Sequence, residues 1–362
     1  MREVKGIAMK TSEFEFAVGP NATPAEPPER RGRTRDSGRL VVLDRAAGTV
    51  SHDMFPDILE HLRAGDLLVL NDSYILPDTL SFRAEGESVE LTVHGHEPDG
   101  TSIVEIRRNR RPGPGLVLSS VDDGELSCTV LASLPDRLWR VQFAPAGRLV
   151  PALERHGRRA DSSIAPGRMQ PPAGPSSYCS VYARTPGSLE IPSAGLHFSI
   201  DLLEAIVRKG VETAFVTLHV GASEVFTARH IQKDDVEDHR MRAEYFEVGA
   251  EAAAQIDRAR TEGRRIVAAG TTVIRTLETL ALGVPRTTPL RARSGWTDLY
   301  IYPGFRFGIV DALLTNLHRP RSSHIVLTAA FAGTDLVMRG YAEIAEMGGY
   351  EFDMFGDSML IV

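Results

Sequence analysis

The sequence predicts an α/β main domain (a mixed sheet or barrel with helices) interrupted by a small all-β insertion. Three patterns carry that expectation. Beyond Tyr178, apolar runs of strand length alternate with amphipathic runs of helix length. Between about residues 80 and 150, short alternating runs are separated by Gly, Pro and Asp clusters, the spacing of a small antiparallel barrel or sandwich. A strand–helix–strand pattern precedes that stretch, so the two flanks read as one domain. The expected division is residues 1–78 and 178–362 for the main domain and 79–177 for the insertion. A chain of 362 residues suits that division.

Taken in order, residues 20–38 are rich in Pro and Arg with little to bury, and read as a mobile basic loop. Arg39–Asp44 reads as a strand, Met54–Leu62 as an amphipathic helix, and Asp66–Leu70 as a buried strand ending at Asn71-Asp72-Ser73. In the insertion, Ser88–Val93, Ser102–Ile106, Leu126–Leu131 and Leu138–Phe143 alternate as strands do. Pro166–Ser177 looks like a link back to the main domain. Helix Ile200–Lys209, strand Glu212–Val220, strand Tyr245–Val248, helix Ala250–Glu262, strand Arg265–Ala269 and helix Val273–Leu282 follow. The apolar segments Ile309–Asn316 and Ile325–Phe331 and the helix Thr334–Glu346 complete the chain.

Composition narrows the function. The longest apolar runs fall far short of the roughly 20 residues of a membrane span. Met1–Phe16 carries no secretory apolar region, so a cytoplasmic protein is expected, as a monomer or small homo-oligomer. Cys128 and Cys179 are the sole cysteines, with neither a CxxC nor a metal-ligand spacing, so neither a disulfide framework nor a zinc site is expected. A net charge of −7 argues against a protein coated in nucleic acid, though a local basic patch is compatible with it. Arg30, Arg31, Arg33 and Arg35 form one such cluster, and Arg107, Arg108, Arg110 and Arg111 another.

The residues that carry chemistry sit where strands meet loops, the common ligand position of α/β folds. No GxGxxG occurs. Gly270-Thr271-Thr272 follows a strand and opens the helix that carries Arg275 and Glu278; its free amides can hold a carboxylate or phosphate, and a plain Thr cap explains the same residues. IPSAGLHF (191–198) and VTLHVGA (216–222) set His197 and His219 beside small residues that let a ligand approach the backbone. Either imidazole can move a proton near neutral pH, and either can equally be a core histidine bonded to a carbonyl. Asp238–Glu244 clusters charges before a strand. GWTDLYIYPG (295–304) and DALLTNLH (311–318) add Asp298, Tyr302, Asn316 and His318, polar groups costly in apolar strands unless paired. His94-x-His96 has ligand spacing without a third ligand and is expected at the surface.

These segments, in this order, resemble the S-adenosylmethionine:tRNA ribosyltransferase-isomerase family of queuosine biosynthesis. The likeness rests on AGDLLVLNDS (64–73), SVYARTPGSLEIPSAGLHF (180–198), GVETAFVTLHVGAS (210–223), RIVAAGTTVIRTLE (265–278) and TDLYIYPGFRFGIVDALLTNLH (297–318). LTAAFAG (327–333) and YEFDMFGDSMLIV (350–362) extend it. The resemblance implies an α/β domain interrupted by a small β-barrel. It also implies transfer and isomerisation of the ribosyl moiety of S-adenosylmethionine onto the aminomethyl-deazaguanine base of tRNA, giving epoxyqueuosine, adenine and methionine. The sulfonium acidifies the adjacent ribose protons, so S-adenosylmethionine is a co-substrate and no cofactor or metal is expected. By this likeness His197, His219, His239 and Glu244 are candidates for proton transfer. Asn71, Ser193, Gly195, Thr271, Thr272, Arg275, Asp298, Tyr302, Asn316 and His318 are candidates for binding the substrate.

Departures from the family pattern are local. Ser73–Leu80 lacks two arginines that the family carries, Arg242 replaces a histidine, and Ser223-Glu224 and Arg319–Ser323 differ as well. Fewer basic groups leave room for a second acceptor, a small molecule of specialised metabolism, and for a third class, an RNA-binding protein without catalysis.

Overall fold

The computed structural model describes residues 9–158, 177–222 and 231–362. Strands β1 (Arg39–Asp44) and β2 (Thr49–Met54) form a hairpin, followed by a single turn of helix, α1 (Ile58–His61). The helix expected over Met54–Leu62 is present in tighter form: a 3-10 turn at Phe55–Asp57 runs straight into α1, within those bounds. β2 escapes notice because it is a polar edge strand, half exposed along its length, with no alternating apolar face. β3 (Leu67–Asn71) and the short β4 (Ser73–Ile75) then lead out of the main domain.

Six antiparallel strands follow: β5 (Thr79–Ala84), β6 (Glu87–His96), β7 (Ser102–Arg107), β8 (Val117–Ser120), β9 (Ser127–Ser133) and β10 (Leu138–Ala144). They close into a barrel in the order β10-β7-β6-β5-β8-β9. Closure removes the exposed edges that short strands would otherwise present. Alternate residues such as Leu80, Phe82, Leu91, Val104, Val130 and Val141 fill it, and α2 (Leu149–His156) adds Leu149, Ala152 and Leu153 to that core. The link expected over residues 166–177 lies outside the described residues except at Ser177.

β11 (Thr185–Ser188) returns to pair in parallel with β4. The main domain resumes with α3 (Ile200–Arg208), capped by Ser199, whose Oγ accepts from the Leu202 amide at 3.1 Å. β12 (Glu212–Leu218), β13 (Glu244–Val248), α4 (Ala250–Glu262), β14 (Ile266–Ala269), α5 (Thr271–Ala281) and β15 (Arg293–Thr297) come next. β16 (Ala312–Asn316), α6 (Ser323–Ala332), α7 (Thr334–Met347) and β17 (Ser358–Ile361) finish the chain. Ile325–Phe331 falls inside α6, a helix buried on nearly every side.

Nine strands make one mixed sheet in the order β15-β13-β12-β3-β14-β16-β17-β1-β2. Helices cover both faces, so its central strands read as continuous apolar runs instead of alternating ones. Leu67, Val69, Ile266, Ala268 and Leu313 pack on one side with Ile256, Ile274 and Val337. Leu68, Leu70, Val267 and Leu314 pack on the other with Phe55, Phe198 and Ile206. Each such fully buried aliphatic side chain contributes about 1.5–3 kcal/mol. The consequence for function lies in direction. β12, β3, β14 and β16 are parallel neighbours, so their carboxyl ends at Leu218, Asn71, Ala269 and Asn316 share one edge of the sheet.

Candidate active site

A cleft with about 1010 Å³ of empty space runs along that edge. Its walls include Asn71, Ser193, Gly195, Glu244, Thr271, Thr272, Arg275, Asn316 and His318, drawn from separate stretches of the chain.

Asn71 is the hub. Its Oδ1 accepts from the amides of Ser73 (3.1 Å) and Leu218 (3.0 Å), and its Nδ2 donates to Leu218 O (3.0 Å) and Thr272 Oγ1 (3.2 Å). One amide therefore welds the ends of β3 and β12 to the start of α5. Its hydrogen-bonding capacity is spent on the protein, so it shapes the wall. Gly270, at φ +109°, makes the turn into α5; a Cβ there would approach that of Ala194 to 3.2 Å. No side chain caps the helix, whose N-terminus with Thr271 and Thr272 opens on the cleft and suits an anion.

Across the cleft, Gly195 makes room for Tyr182: a Cβ would lie 2.3 Å from the phenol oxygen. Ser193 Oγ donates to Asn316 Oδ1 at 3.2 Å, and Asn316 Nδ2 lies 3.2 Å from His197 Nε2. An amide NH2 only donates, so Nε2 accepts and the His197 proton sits on Nδ1. His197 is stacked on Phe55 at 4.9 Å, behind the cleft wall, and burial pushes it down to about 4. It is neutral, and its Nε2 holds the Asn316 amide. His318 bonds Thr315 Oγ1 through Nε2 at 2.7 Å and stacks on His324 at 4.9 Å, with both rings in the wall.

Glu244 joins the cleft from β13. It pairs with Arg275 NH1 and accepts the Gly221 amide at 3.0 Å. Arg275 also donates to the carbonyls of Leu299 (2.9 Å) and Thr297 (3.2 Å), so the guanidinium is largely committed within the protein.

His219 stands just beyond. Its Nδ1 is 2.8 Å from Ser73 Oγ, which is 2.6 Å from Ser188 Oγ, and Ser188 Oγ accepts the Val220 amide at 3.0 Å. Among the described residues Ser73 Oγ is the acceptor within reach of the fully buried Ser188 hydroxyl, which sets the direction: Ser188 donates to Ser73, Ser73 donates to Nδ1, and the imidazole keeps its proton on Nε2. Burial, with the nearby His96, lowers His219 to about 4.

Some candidates fall outside the cleft wall. His239 is buried edge-on against Tyr300 at 5.0 Å, and Tyr302 packs at a tilt on the same ring at 5.3 Å, so both contact a cleft residue from outside the wall. Asp298 is exposed and does not line the cleft. Tyr182, Glu190, Tyr300 and His324 also line it, and sequence reasoning misses them. The first three lie within the motif segments 180–198 and 297–318. His324 follows the Ser322 cap of α6, a signal the sequence does hold.

Two surface expectations need correction. His94 is buried and His96 partly so, because the main domain covers that face of the barrel. Most arginines of the two basic clusters are paired with carboxylates in place. Arg31 and Arg33 pair with Glu351, and Arg35 pairs with Glu29 at 2.7 Å, which ties residues 28–35 down as structure. On the barrel, Arg107 meets Glu105 at 3.0 Å, Arg108 meets Glu85 at 2.8 Å, and Arg110 lies 3.6 Å from Glu87.

Fold and cleft together define an α/β protein with a candidate ligand site at the ends of parallel strands and a barrel beside it. A family model described as "Queuosine biosynthesis protein" matches residues 11–361. The chain is 38% identical over 359 residues to the S-adenosylmethionine:tRNA ribosyltransferase-isomerase of Moorella thermoacetica, covering 98% of this chain and 100% of that one. It is 39% identical to the enzyme of the same name from Heliobacterium modesticaldum, covering 94% and 95%. The crystal structure of the Thermotoga maritima S-adenosylmethionine tRNA ribosyltransferase matches with a TM-score of 0.54 and 34% identity, over 97% of this chain and 100% of that one. This protein belongs to the S-adenosylmethionine:tRNA ribosyltransferase-isomerase family. No helix among the described residues is long and apolar enough to cross a membrane.

Proposed function

We propose that the chain transfers and isomerises the ribosyl moiety of S-adenosylmethionine onto the aminomethyl-deazaguanine base of a tRNA, forming epoxyqueuosine and releasing adenine and methionine. One observation carries the reading: relatives named for this activity align over nearly the whole chain, cleft residues included. The cleft suits the donor chemically. The N-terminus of α5, with Thr271 and Thr272, offers amides and hydroxyls to a carboxylate such as that of methionine. Glu190 is buried in the same wall and favours a cationic sulfonium.

The sulfonium makes the adjacent ribose carbon acidic, so the protein must supply a base, exclude water and orient the leaving groups. His219, neutral and held by Ser73, is our candidate for that base, with Glu244 beside it. His197 and His239 take positioning roles through Asn316 and Tyr300. S-adenosylmethionine serves as a co-substrate, and the scheme calls for no metal or redox cofactor. A small-molecule acceptor gains no support from the named relatives.

Incubating the pure protein with S-adenosylmethionine and tRNA bearing the aminomethyl-deazaguanine base tests the proposal by chromatography. Adenine and methionine should appear in equal amounts, and only when the modified tRNA is present. Failure to release either would overturn it.

A further inference from the structure

A second cavity, with about 620 Å³ of empty space, opens at the seam between barrel and main sheet. β6 supplies His94, Gly95 and His96 to one wall, while His219, Tyr245 and Trp296 form the other. The seam is clipped shut by the Arg242–Glu97 ion pair and by the Ala222 amide, which donates to His94 O at 3.0 Å. Val220, Met241 and Glu244 line both this cavity and the main cleft, so the two compartments meet at one throat.

Its chemistry fits a flat, polar ring. His219 stacks on Tyr245 at 5.7 Å with planes 19° apart, and Trp296 meets Tyr245 edge-on at 5.9 Å. Such a wall offers aromatic faces for stacking, a mode that tolerates any nucleobase. Opposite it, His96 spends Nδ1 on Ser102 Oγ at 3.0 Å, while its buried Nε2 makes no hydrogen bond among the described residues. A buried polar nitrogen left unmatched is costly and is explained where a ligand completes it. Space is available too: a Cβ added at Gly95 or Gly221 would meet nothing within 4 Å.

We propose that this seam cavity holds the acceptor's nucleobase, a purine-like heterocycle bearing the nucleophilic amine, stacked on the face of Trp296 with Tyr245 at its edge and turned toward the throat. The inference rests on the ribosyl-transfer reading. Donor and acceptor must meet at one carbon, and two compartments sharing one opening provide that meeting. The barrel then contributes directly to the site, because β6 completes the acceptor wall.

The test uses the full chain with Trp296→Ala, which removes a stacking face, and Gly221→Leu, which fills the cavity. Calorimetry measures S-adenosylmethionine affinity, and steady-state adenine release measures KM for tRNA bearing the modified base. Both variants should raise the acceptor KM about tenfold or more, the scale of one lost base–aromatic stack, and keep donor affinity within twofold. Trp296→Phe should restore most of the acceptor KM. Donor affinity falling in step with the acceptor KM would assign the cavity to the donor and overturn the inference. So would an unchanged acceptor KM in both variants. A wild-type protein that neither binds S-adenosylmethionine nor releases adenine would overturn the functional reading first, and this inference with it.

Discussion

Gly187 stands hard against His219: a Cβ built on Gly187, whose φ is +153°, would lie 2.5 Å from the imidazole Cε1. A real side chain cannot approach so closely, and the ring is not the far end of a flexible chain. It is held between Ser73 and the face of Tyr245. Gly187→Ala should therefore move the imidazole by a fraction of an ångström or more. Turnover is expected to fall about a hundredfold, the scale of a misplaced catalytic group. Steady-state kinetics checks this, with circular dichroism and a thermal melt showing that the fold persists.

Ser73 sets the tautomer of that same ring. Removing its hydroxyl leaves Nδ1 without its donor and frees the imidazole to hold its proton on either nitrogen. Ser73→Ala should lower kcat about tenfold while KM for S-adenosylmethionine stays within twofold, the signature of an interaction used in the transition state. A matched rise in KM would assign Ser73 to donor binding instead.

The Glu244–Arg275 pair joins β13 to α5 with both side chains mostly buried, 14% and 7% exposed. Glu244→Gln leaves the guanidinium short of its counter-charge and should destabilise the protein by about 3–5 kcal/mol, measured by urea unfolding. The double variant Glu244→Gln/Arg275→Met should lose less than the two single variants added together. Additive losses would show that the pair is not coupled.

Acid should expose the two buried histidines. His197 and His219 are each held near 4, well below the ordinary 6.5. Between these values the unfolded chain binds more protons than the native one, so stability is complete above pH 6.5 and falls as pH drops toward 4. Each ring contributes at most about 3 kcal/mol to that loss. Thermal melts from about pH 7.5 to 4.5 should show the decline, and His197→Gln should flatten it. The same values keep His219 neutral at about pH 5–8, so kcat should show no inflection near 6.5 arising from this ring.

Much of the main domain was legible because two-sided burial leaves unmistakable apolar runs at β3, β14 and β16. The cleft was legible for a related reason: Asn71, Gly270 and Asn316 interrupt those runs where the strands stop. The barrel was readable from its alternation and its turn residues, with closure implied by the family likeness. What stayed hidden depended on distant partners. Arg31 reads as a basic surface group until Glu351, 320 positions on, is found to hold it. His94 and His96 read as surface until the main domain covers them. Asp298, chosen for its motif, faces out because Thr297 and Leu299, on either side, are the residues whose carbonyls face Arg275. The polar hairpin strand β2 carries no periodic signal at all.

The central claim is that the sugar of S-adenosylmethionine is consumed and its methyl group is not. Two donor preparations test it most directly, one carrying carbon-13 in the ribose and the other in the methyl group, each incubated with tRNA bearing the aminomethyl-deazaguanine base. Mass spectrometry of the digested tRNA should find the labelled ribose carbons in the modified nucleoside and the methyl label in free methionine. Methyl label in the tRNA, with the ribose label still attached to adenine, would contradict that claim.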